Sequence, residues 1–386
     1  MTRLRRCILL AMAWLATLTG QAKIVLTASN PSTCQRHEVT AWDATQIWEK
    51  LGVGQGSDLV VYDKSGQIVT SQVTRGQKLL IDVALLPQGK AEYTVEAGSM
   101  PRSKRYVAGR LYKYRLDDIA WENDIAAYRV YGPALQQSGE KAFGIDVWLK
   151  STTELDVEKR YRQESLYNIS YHTDHGTGLD CYNVGPSLGC GAPAVILGGD
   201  SIVMPYCYKN FKILDNGPLR FTLQLTYPEV DIDGQKVTEH RIISLDKGSY
   251  FNRMEVWYDG FTKTMDVAGG IVVHTRNKND LTLGKNFIAY DDPTDSPDLH
   301  NFQIYTALIF PDGNVCTQLV KDTNHQPQGI FGNAVGVKRN VKPGEHTVYW
   351  FGASWCGSGT PDSSFWRMQI KRFDDMQRQP IIVDIQ

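Results

Sequence analysis

The order of apolar and polar residues along the chain is mainly that of short β-strands. From residue 23 onward, runs rich in Val, Ile, Leu, Thr and Tyr alternate with polar positions and end at turn-forming residues. The first predicted strands are Lys23–Ala28, Asp58–Asp63, Gln67–Val73, Lys78–Val83 and Glu92–Ala97. Their roughly regular spacing predicts a small N-terminal β-sandwich domain over residues 23–98.

The rest of the chain, residues 99–386, predicts a second and larger β-sandwich domain. Small, polar and basic residues at Gly98–Lys104 mark the boundary. The strands predicted beyond it are Tyr128–Tyr131, Ile145–Leu149, Ile202–Met204, Arg220–Tyr227, Lys236–Ser244, Asn252–Tyr258, Gly269–Thr275, Ile304–Phe310 and His346–Phe351. Asp233-Gly234 predicts a tight hairpin between two of these runs. So many antiparallel strands favour a two-sheet sandwich over a barrel, and the predicted fold class is mostly all-β.

Only three segments have the residue spacing of helices. Trp42–Leu51 is the first, with Asp43 as its N-cap, and Glu154–Glu164 is the second. The third lies near the end of the chain, where Asp362 can cap a run of apolar residues at helical spacing and Pro380 follows. We therefore expect one C-terminal helix on a molecule otherwise built from sheets.

Residues 1–22 have the pattern of a signal peptide. Arginines at positions 3, 5 and 6 precede the apolar run Cys7–Thr17, and Gly20-Gln21-Ala22 offers small residues for cleavage. The apolar run is far shorter than the ~20 residues that cross a bilayer, although an uncleaved anchor is the alternative. We expect cleavage near Ala22, export to a bacterial periplasm or beyond, and no integral membrane contact.

Charge and cysteine content narrow the class of protein. Lys and Arg number 41 and Asp and Glu 42, a net charge of -1, which disfavours a protein that coats nucleic acid. Six cysteines remain after Cys7, and we expect most to be buried thiols, with at most one disulfide near Cys181–Cys207. The absence of C-x-x-C and of a P-loop disfavours thiolate zinc sites and one common nucleotide-binding architecture.

An acidic segment, Asp117–Asp124, is the first candidate for chemistry. It holds four carboxylates, and if it is a strand, Asp118, Glu122 and Asp124 share one face. Carboxylates this close repel one another, which raises a pKa and suits acid/base catalysis, but they could equally bind a divalent cation. A solvated acidic loop is the simpler alternative. The candidate substrate-binding residues in and after this segment are Trp121, Glu122, Asn123, Asp124, Arg129 and Tyr131.

A second candidate is the histidine-containing stretch Tyr167–Tyr182. His172 and His175 stand three residues apart with Asp174 between them, in a chain that has 8 His. An imidazole titrates near neutral pH, so the pair could act as general base and general acid. The two could instead ligate zinc with a third ligand such as His274, or the loop could only fix local shape.

Several motifs resemble those of one family of exported bacterial proteins, domain of unknown function 4861. The matching segments are Asp117–Asp124, Arg129–Leu135, Gly144–Trp148, Tyr171–Gly176, Val184–Gly191, Gly217–Arg220 and Gly352–Trp355. They are spread over nearly the whole mature chain. The resemblance implies a galactose-mutarotase-like β-sandwich for the large domain and a place among proteins that break down acidic plant and algal glycans.

The resemblance also implies an activity, because a related activity is an ulvan oligosaccharide dehydratase. Such an enzyme removes water from a non-reducing-end glucuronate and leaves a 4,5-unsaturated uronate. The elimination needs a base, an acid and a cation that neutralises the substrate carboxylate. We assign His172 and His175 to the base and acid without ordering them, with Tyr167 as a spare acid.

The remaining roles follow from the same chemistry. Arg129, or a metal held by the carboxylates, would neutralise the substrate carboxylate, and Asp174 would orient a histidine. Glu122 or Asp124 would bind hydroxyls or a cation, and Trp121 would stack on the sugar. Two alternatives stay open. One is a lyase or hydrolase on the same uronate-containing oligosaccharides, with a carboxylate pair as acid and base. The other is a glycan-binding protein without catalysis.

Overall fold

The structure, a computed structural model, describes residues 22–386. The predicted signal peptide, apart from Ala22, and Cys7 lie outside the described residues. Within residues 22–386 the chain forms 25 strands and four α-helices, so the fold is mostly β as predicted. In this range no helix combines the length and apolar character needed to cross a membrane.

Residues 23–97 form the small N-terminal sandwich. Its elements are β1 (Lys23–Ser29), β2 (Arg36–Asp43), α1 (Ala44–Leu51), β3 (Leu59–Tyr62), β4 (Ser71–Val73), β5 (Lys78–Leu85) and β6 (Lys90–Ala97). One sheet contains β1, β6 and β3 in that order, and the other contains β2, β5 and β4. Alternate residues of the strands meet in a separate apolar core between the two sheets and α1.

The first helix begins where its cap was predicted, but the residues before it form a strand. The Asp43 side chain accepts hydrogen bonds from the backbone N–H groups of Thr45 and Gln46 and so caps α1. Trp42, predicted to be helical, is the buried partner of Leu79 across the β2–β5 pair. The strand β2 was not predicted, because its charged residues hide the alternation that pairing with β5 creates.

The next segment builds a four-stranded sheet that carries the acidic motif. Its elements are β7 (Ala108–Tyr112), β8 (Asp118–Glu122), β9 (Ala127–Val130), α2 (Pro133–Ser138), β10 (Asp146–Trp148) and α3 (Val157–Tyr167). The strands are ordered β10-β9-β8-β7 and all pair antiparallel. The helix α3 lies three residues later along the chain than the predicted segment at both ends.

The large sandwich follows as two facing sheets. Its strands are β11 (Cys190–Leu197), β12 (Ser201–Val203), β13 (Asn210–Asn216), β14 (Arg220–Thr226), β15 (Val230–Ile232), β16 (Gln235–Asp246), β17 (Phe251–Asp259), β18 (Met265–His274), β19 (Leu281–Leu283), β20 (Phe287–Asp292), β21 (Ile304–Ile309), β22 (Cys316–Lys321), β23 (Ile330–Val341) and β24 (Thr347–Ser354). The five-stranded sheet is β12-β11-β18-β23-β22, and the nine-stranded sheet runs β13-β14-β16-β17-β24-β21-β20-β19 with β15 beside β16. The predicted hairpin is confirmed, since Val230 pairs with Val237 around Asp233-Gly234.

The end of the chain joins the two domains. The helix α4 (Ser363–Arg378) is capped by Asp362, whose side chain accepts a hydrogen bond from the Phe365 N–H, as predicted. After it, β25 (Ile382–Ile385) pairs with β1 and becomes the edge strand of an N-terminal sheet. The predicted boundary at residue 98 therefore leaves out one strand of the N-terminal sandwich.

The docking of α4 gives a test of the fold. Trp366 is fully buried, its ring lies 5.2 Å from that of Phe251, and its Nε1 donates to the carbonyl of Thr306. Trp366→Ala should lower the free energy of unfolding by about 3–5 kcal/mol, because it leaves a large cavity. Met368 is 53% exposed on the same helix, and Met368→Ala should change that free energy by less than about 0.5 kcal/mol. Urea unfolding followed by circular dichroism measures both, and equal stabilities would contradict this packing.

Candidate functional site

A buried arginine lies at the centre of the β7–β10 sheet. Arg129 on β9 has a side chain only 5% exposed, and it contacts three carboxylates that are buried with it. Its Nη2 lies 2.6 Å from Asp146 and 2.9 Å from Asp180, and its Nη1 lies 3.4 Å from Asp118. We call Arg129, Asp118, Asp146 and Asp180 the arginine cluster. A buried ionic group is stable only when it is paired, and here one cation is shared by three acids.

Burial controls the protonation of these acids. Burial raises the pKa of Asp118 to about 6, of Asp146 to about 7 and of Asp180 to about 6, although the charge of Arg129 opposes each rise. Repulsion between carboxylates, the cause predicted from the sequence, contributes less than burial to the raised pKa of Asp118. The cluster therefore holds carboxyl groups that titrate near neutral pH inside the protein.

The aromatic surroundings extend the cluster toward the surface. The guanidinium of Arg129 lies 5.0 Å from the ring of Tyr131 and 5.9 Å from that of Tyr171. The hydroxyl of Tyr171 accepts hydrogen bonds from Arg129 and, at 2.9 Å, from Nε of Arg115. Arg115 is only partly buried, so the cluster has a second cation beside it that solvent can reach. No sequence signal singled out Arg115.

The turn that presents Arg115 is strained. The next two residues, Leu116 and Asp117, have φ of 51° and 61°, in the left-handed region that few residues other than glycine adopt. Each residue in such a conformation costs about 1–3 kcal/mol of folding free energy, and it persists only where the surrounding structure enforces it. Tyr208 donates a hydrogen bond to the carbonyl of Asp117, and the backbone of Gly132 packs so closely on it that a Cβ there would lie 2.1 Å from the Asp117 oxygen. The fold therefore fixes this turn in place.

The histidine loop lies directly against the arginine cluster. Asp174 accepts hydrogen bonds from the backbone N–H groups of Gly176 and Gly178, so it shapes the loop, and within residues 22–386 it makes no hydrogen bond or ion pair with either histidine ring. Gly178 is required, since its φ is +104° and a Cβ would lie 2.2 Å from the carbonyl oxygen of Leu149. Asp180, at the end of the loop, bridges to Trp148 of β10 and brings the loop to Arg129.

The hydrogen bonds of the two histidine rings define their neutral tautomers. Nδ1 of His172 lies 2.9 Å from the carbonyl oxygen of Asp180, and Nε2 of His175 lies 3.0 Å from that of Ser170. A carbonyl oxygen only accepts, so each of these nitrogens carries a proton and donates it. The opposite nitrogen, Nε2 in His172, keeps its lone pair. The side chain of His172 is 50% exposed, and the carboxylate of Asp180 lies 3.8 Å from its Nδ1.

Tyr167 is placed differently from the histidines. It is the last residue of α3, 70% exposed, and the chain turns at Asn168 before it reaches the histidine loop. It is therefore near the loop in sequence, while nothing fixes its hydroxyl toward His172.

Glu122 belongs to a separate buried ion pair. Its Oε2 lies 2.6 Å from Nζ of Lys150, and its two oxygens accept the backbone N–H groups of Asp156 and Val157 at the start of α3. Glu122 and Lys150 are both almost fully buried. As predicted, Asp118 and Glu122 share one face of a strand, but this face is enclosed, and Asp124 is not on it because β8 ends at Glu122. The Glu122 carboxylate holds Lys150 and the helix start rather than facing a substrate.

Three other predicted substrate-binding residues use their side chains for contacts within the protein. Trp121 is fully buried between the rings of Tyr128 and Phe221, so no face of its indole is open to a sugar. The amide of Asn123 makes four backbone hydrogen bonds that fix the turn after β8. Asp124 accepts from the N–H of Gly248, away from the histidine loop. Together with Tyr131, which is 7% exposed over Arg129, these residues form the support of the site.

A second histidine–aspartate pair lies beside the loop. Nδ1 of His274 is 2.8 Å from Asp292, and Nε2 of His274 has no hydrogen-bond partner within residues 22–386. Burial is the largest single effect and lowers the pKa of His274, but the charge of Asp292 and the hydrogen bonds of the ring together outweigh it, so the net direction is upward. The N–H of Asp295 donates to the carbonyl of Cys181, which joins this pair to the end of the histidine loop. The sequence offered His274 only as a third zinc ligand.

Neither the disulfide that the sequence allowed near Cys181–Cys207 nor a metal site of the kind left open as an alternative is formed by the described residues. All six cysteines from Cys34 to Cys356 are free, and three of them are buried. The predicted bridge near Cys181–Cys207 is therefore wrong. Among residues 22–386, no group of three or more His, Cys, Asp or Glu side chains could hold a metal ion.

The raised pKa of Asp146 gives a test of the arginine cluster. The protonated Asp146 carboxyl stabilises the folded chain. This contribution is fully present below the unfolded pKa of 3.8 and is lost as pH rises through the folded pKa of about 7. Asp146→Asn cannot ionise, and its amide oxygen can replace the carboxylate oxygen that binds Arg129. Its stability relative to the parent chain should therefore rise from pH 4 to pH 8, by about 1–4 kcal/mol.

Thermal unfolding across that pH range measures the difference. Asp200→Asn, on an exposed turn, is the matched control and should show no such trend. A stability difference that stays constant with pH would mean that Asp146 keeps an ordinary pKa in the folded chain.

Two solved structures have a similar fold. An alpha-mannosidase from Enterococcus faecalis V583 matches 94% of this chain with a TM-score of 0.51 and 9% sequence identity. A protein in the glycosyl hydrolase family 38 from Enterococcus faecalis matches the same share with a TM-score of 0.50 and 9% identity. This chain spans 46% and 47% of those chains, less than half of each. At this identity the likeness concerns the fold alone.

Sequence comparison finds a relative with higher sequence identity than these two structures. Uncharacterized protein P7 of Formosa agariphila is 29% identical over 321 residues, which are 80% of this chain and 78% of the relative. The family described as domain of unknown function 4861 matches residues 28–383. That range includes the arginine cluster, the histidine loop and both sandwiches. The chain therefore belongs to the family of domain of unknown function 4861.

Proposed function

We propose that the protein is a carbohydrate-active enzyme that removes water from the non-reducing-end glucuronate of an acidic oligosaccharide. The observation that carries the proposal is the setting of His172. Its Nδ1 proton is held by the Asp180 carbonyl, its side chain is 50% exposed, and Asp180 connects it to Arg129 of the arginine cluster. An imidazole with one fixed nitrogen and one free nitrogen suits a general base.

The charges around His172 fit proton abstraction. When Nε2 takes a proton, the ring becomes a cation 3.8 Å from the carboxylate of Asp180, which stabilises it. Asp180 is held in turn by Arg129. Arg129 is too deeply buried to reach a substrate, so the role first given to it passes to Arg115. We propose that the partly exposed Arg115 neutralises the substrate carboxylate and so makes the C5 proton more acidic.

The elimination balances with two protein groups. Nε2 of His172 takes the proton from C5, and the electrons of that C–H bond form the C4–C5 double bond as the C4–O4 bond breaks. The departing oxygen takes a proton from an acid and leaves as water. We assign the acid to protonated His175, whose Nδ1 is free of the Ser170 contact, with Tyr167 as the alternative. The product is the 4,5-unsaturated uronate.

A hydrolase on the same substrates is the second candidate function. Such an enzyme needs two carboxyl groups that reach the sugar, and it is the weaker candidate because Asp118, Asp146 and Asp180 are at most 2% exposed, although their pKa values lie near neutral pH. The similar folds of the alpha-mannosidase and the glycosyl hydrolase family 38 protein agree with a carbohydrate-active chain, without specifying the reaction.

A product assay separates the candidates. The purified chain is incubated with glucuronate-ended oligosaccharides, and products are followed by ultraviolet absorbance and mass. We expect loss of one water from an uncut oligosaccharide together with the absorbance of an unsaturated uronate. Saturated fragments would establish a hydrolase, and unsaturated fragments a lyase.

Substitution of each histidine tests its role. His172→Ala and His175→Ala should each lower the rate by about 100-fold or more, because each removes a proton-transfer group. His346→Ala is the matched control, since this ring stacks on Trp257 on the nine-stranded sheet. A variant that keeps the full rate with its circular dichroism unchanged removes that histidine from the mechanism.

The role of Arg115 has its own test. Arg115→Ala should lower kcat/KM on a glucuronate-ended oligosaccharide by about 10- to 100-fold, since it removes the cation that faces the substrate carboxylate. The methyl ester of the same oligosaccharide carries no charge at that position, so its kcat/KM should fall much less. Equal losses on the acid and the ester would show that Arg115 does not pair with the carboxylate.

A further inference from the structure

A large cleft lies between the two domains, away from the histidine loop. Its walls are the strand β2 and the β4–β5 turn of the N-terminal sandwich, the outer face of the nine-stranded sheet and one side of α4. It encloses about 1200 Å³, which exceeds the roughly 300–1,000 Å³ typical of small-molecule pockets. No residue of the histidine loop lines this interdomain cleft. The cleft is large enough for several linked sugars.

The lining of the cleft is strongly basic, although the whole chain is almost neutral. Eight Arg or Lys side chains line it against three carboxylates, whereas the chain has 41 basic and 42 acidic residues. Five of the eight are in ion pairs, including Arg220 with Asp246 and Arg253 with Glu255. The other three, Arg75, Lys212 and Arg372, have no ion pair with any residue in 22–386. An excess of unpaired cations favours an anionic ligand.

The three unpaired cations come from three different walls. Arg75 lies on the β4–β5 turn, and its N–H donates to Asp215 at the end of β13. Lys212 lies on β13 of the nine-stranded sheet. Arg372 lies on α4, where its side chain donates only to the carbonyl of Gln35. The charges therefore surround the cleft rather than forming one exposed patch.

The floor of the cleft offers the groups that bind a sugar chain. Pairing of β14, β16, β17 and β24 places Thr222 beside Ser244, Ser244 beside Arg253, and Arg253 beside Trp350. All four residues line the cleft, while their neighbours along each strand face the core. With neighbouring strands ~4.8 Å apart, the row is about 15 Å long. Two hydroxyls, a guanidinium and a partly exposed indole can hydrogen-bond and stack on sugar rings.

The walls also contain polar atoms without partners. Nε of Arg36 and Oγ1 of Thr40 on β2, and Oγ1 of Thr222 on β14, are buried and make no hydrogen bond with any residue in 22–386. Each residue is less than 9% exposed. Such groups are uncommon in folded proteins because each costs about 1–3 kcal/mol. Three of them along one cleft favour a ligand that is rich in hydrogen-bonding groups.

We propose that the interdomain cleft is a second carbohydrate site, which binds an anionic stretch of a carboxylated or sulfated oligosaccharide. The proposal rests on the substrate class of the proposed function and not on its catalytic residues. It gives the N-terminal sandwich a function, because β2 and the β4–β5 turn supply one whole wall.

Binding is measured on a chain without a catalytic histidine, so that the probe is not turned over, and substitutions in the cleft separate its contribution from that of the histidine loop. Calorimetry on His172→Ala uses a chondroitin sulfate hexasaccharide, which carries glucuronate and sulfate, and cellohexaose as the neutral probe. The triple variant Arg75→Ala, Lys212→Ala, Arg372→Ala should bind the charged hexasaccharide at least tenfold more weakly, and the affinity of the parent should fall as salt rises. The matched control replaces Lys64, Lys263 and Lys371, three exposed lysines outside the cleft, and should bind like the parent.

Several results would overturn the proposal. They are an unchanged affinity in the triple variant, an equal loss in the control, or no binding of the charged hexasaccharide by the parent. Equal affinity for a single-stranded oligodeoxynucleotide of the same charge would assign the cleft to nucleic acid instead. None of these results bears on the product assay with the unaltered chain, so failure of the cleft and failure of the dehydratase are distinguishable.

Discussion

The buried guanidinium of Arg129 is the interaction on which the candidate site depends. A cation enclosed by protein must be neutralised, and Arg129 is neutralised by carboxylates from β8, from β10 and from the end of the histidine loop. These contacts join segments that are 11 to 51 residues apart in the chain. The position of His172 follows from them, because Asp180 binds Arg129 with its side chain and His172 with its backbone.

Buried ion pairs and hydrogen bonds explain why many polar residues of the acidic motif are not at the surface. Asp118, Glu122 and Asn123 hold Arg129, Lys150 and a turn, respectively. They fix the sheet that supports the loop, and the groups left accessible are His172, His175 and Arg115. The proposed catalytic groups therefore lie at the exposed rim of a buried ionic network. The cleft between the domains is a separate feature, created when β25 pairs with β1 and α4 packs on the nine-stranded sheet.

Local signals in the sequence predicted the elements that depend on neighbouring residues. Asp43 and Asp362 cap helices where expected, and Asp233-Gly234 forms the hairpin, because caps and tight turns need only a few adjacent residues. Several strands were missed, and β2 and β23 show why. Their residues become buried or paired only through strands far away in the chain, β5 for the first and β18 and β22 for the second. A carboxylate inside the apolar run around Asp146 could have indicated a buried cation partner.

The sequence by itself determined the fold class, the two sandwiches, the helix caps and the family, as well as the two segments that carry the polar clusters. It could not decide which members of those clusters face solvent. Trp121 and Arg129 have the side chains of a sugar site, yet both are enclosed, while Arg115 had no signal and lies at the rim. The strand β25 likewise returns to the first domain from the far end of the chain. Only the tertiary structure decides such matters, because burial and charge pairing depend on which distant segments pack together.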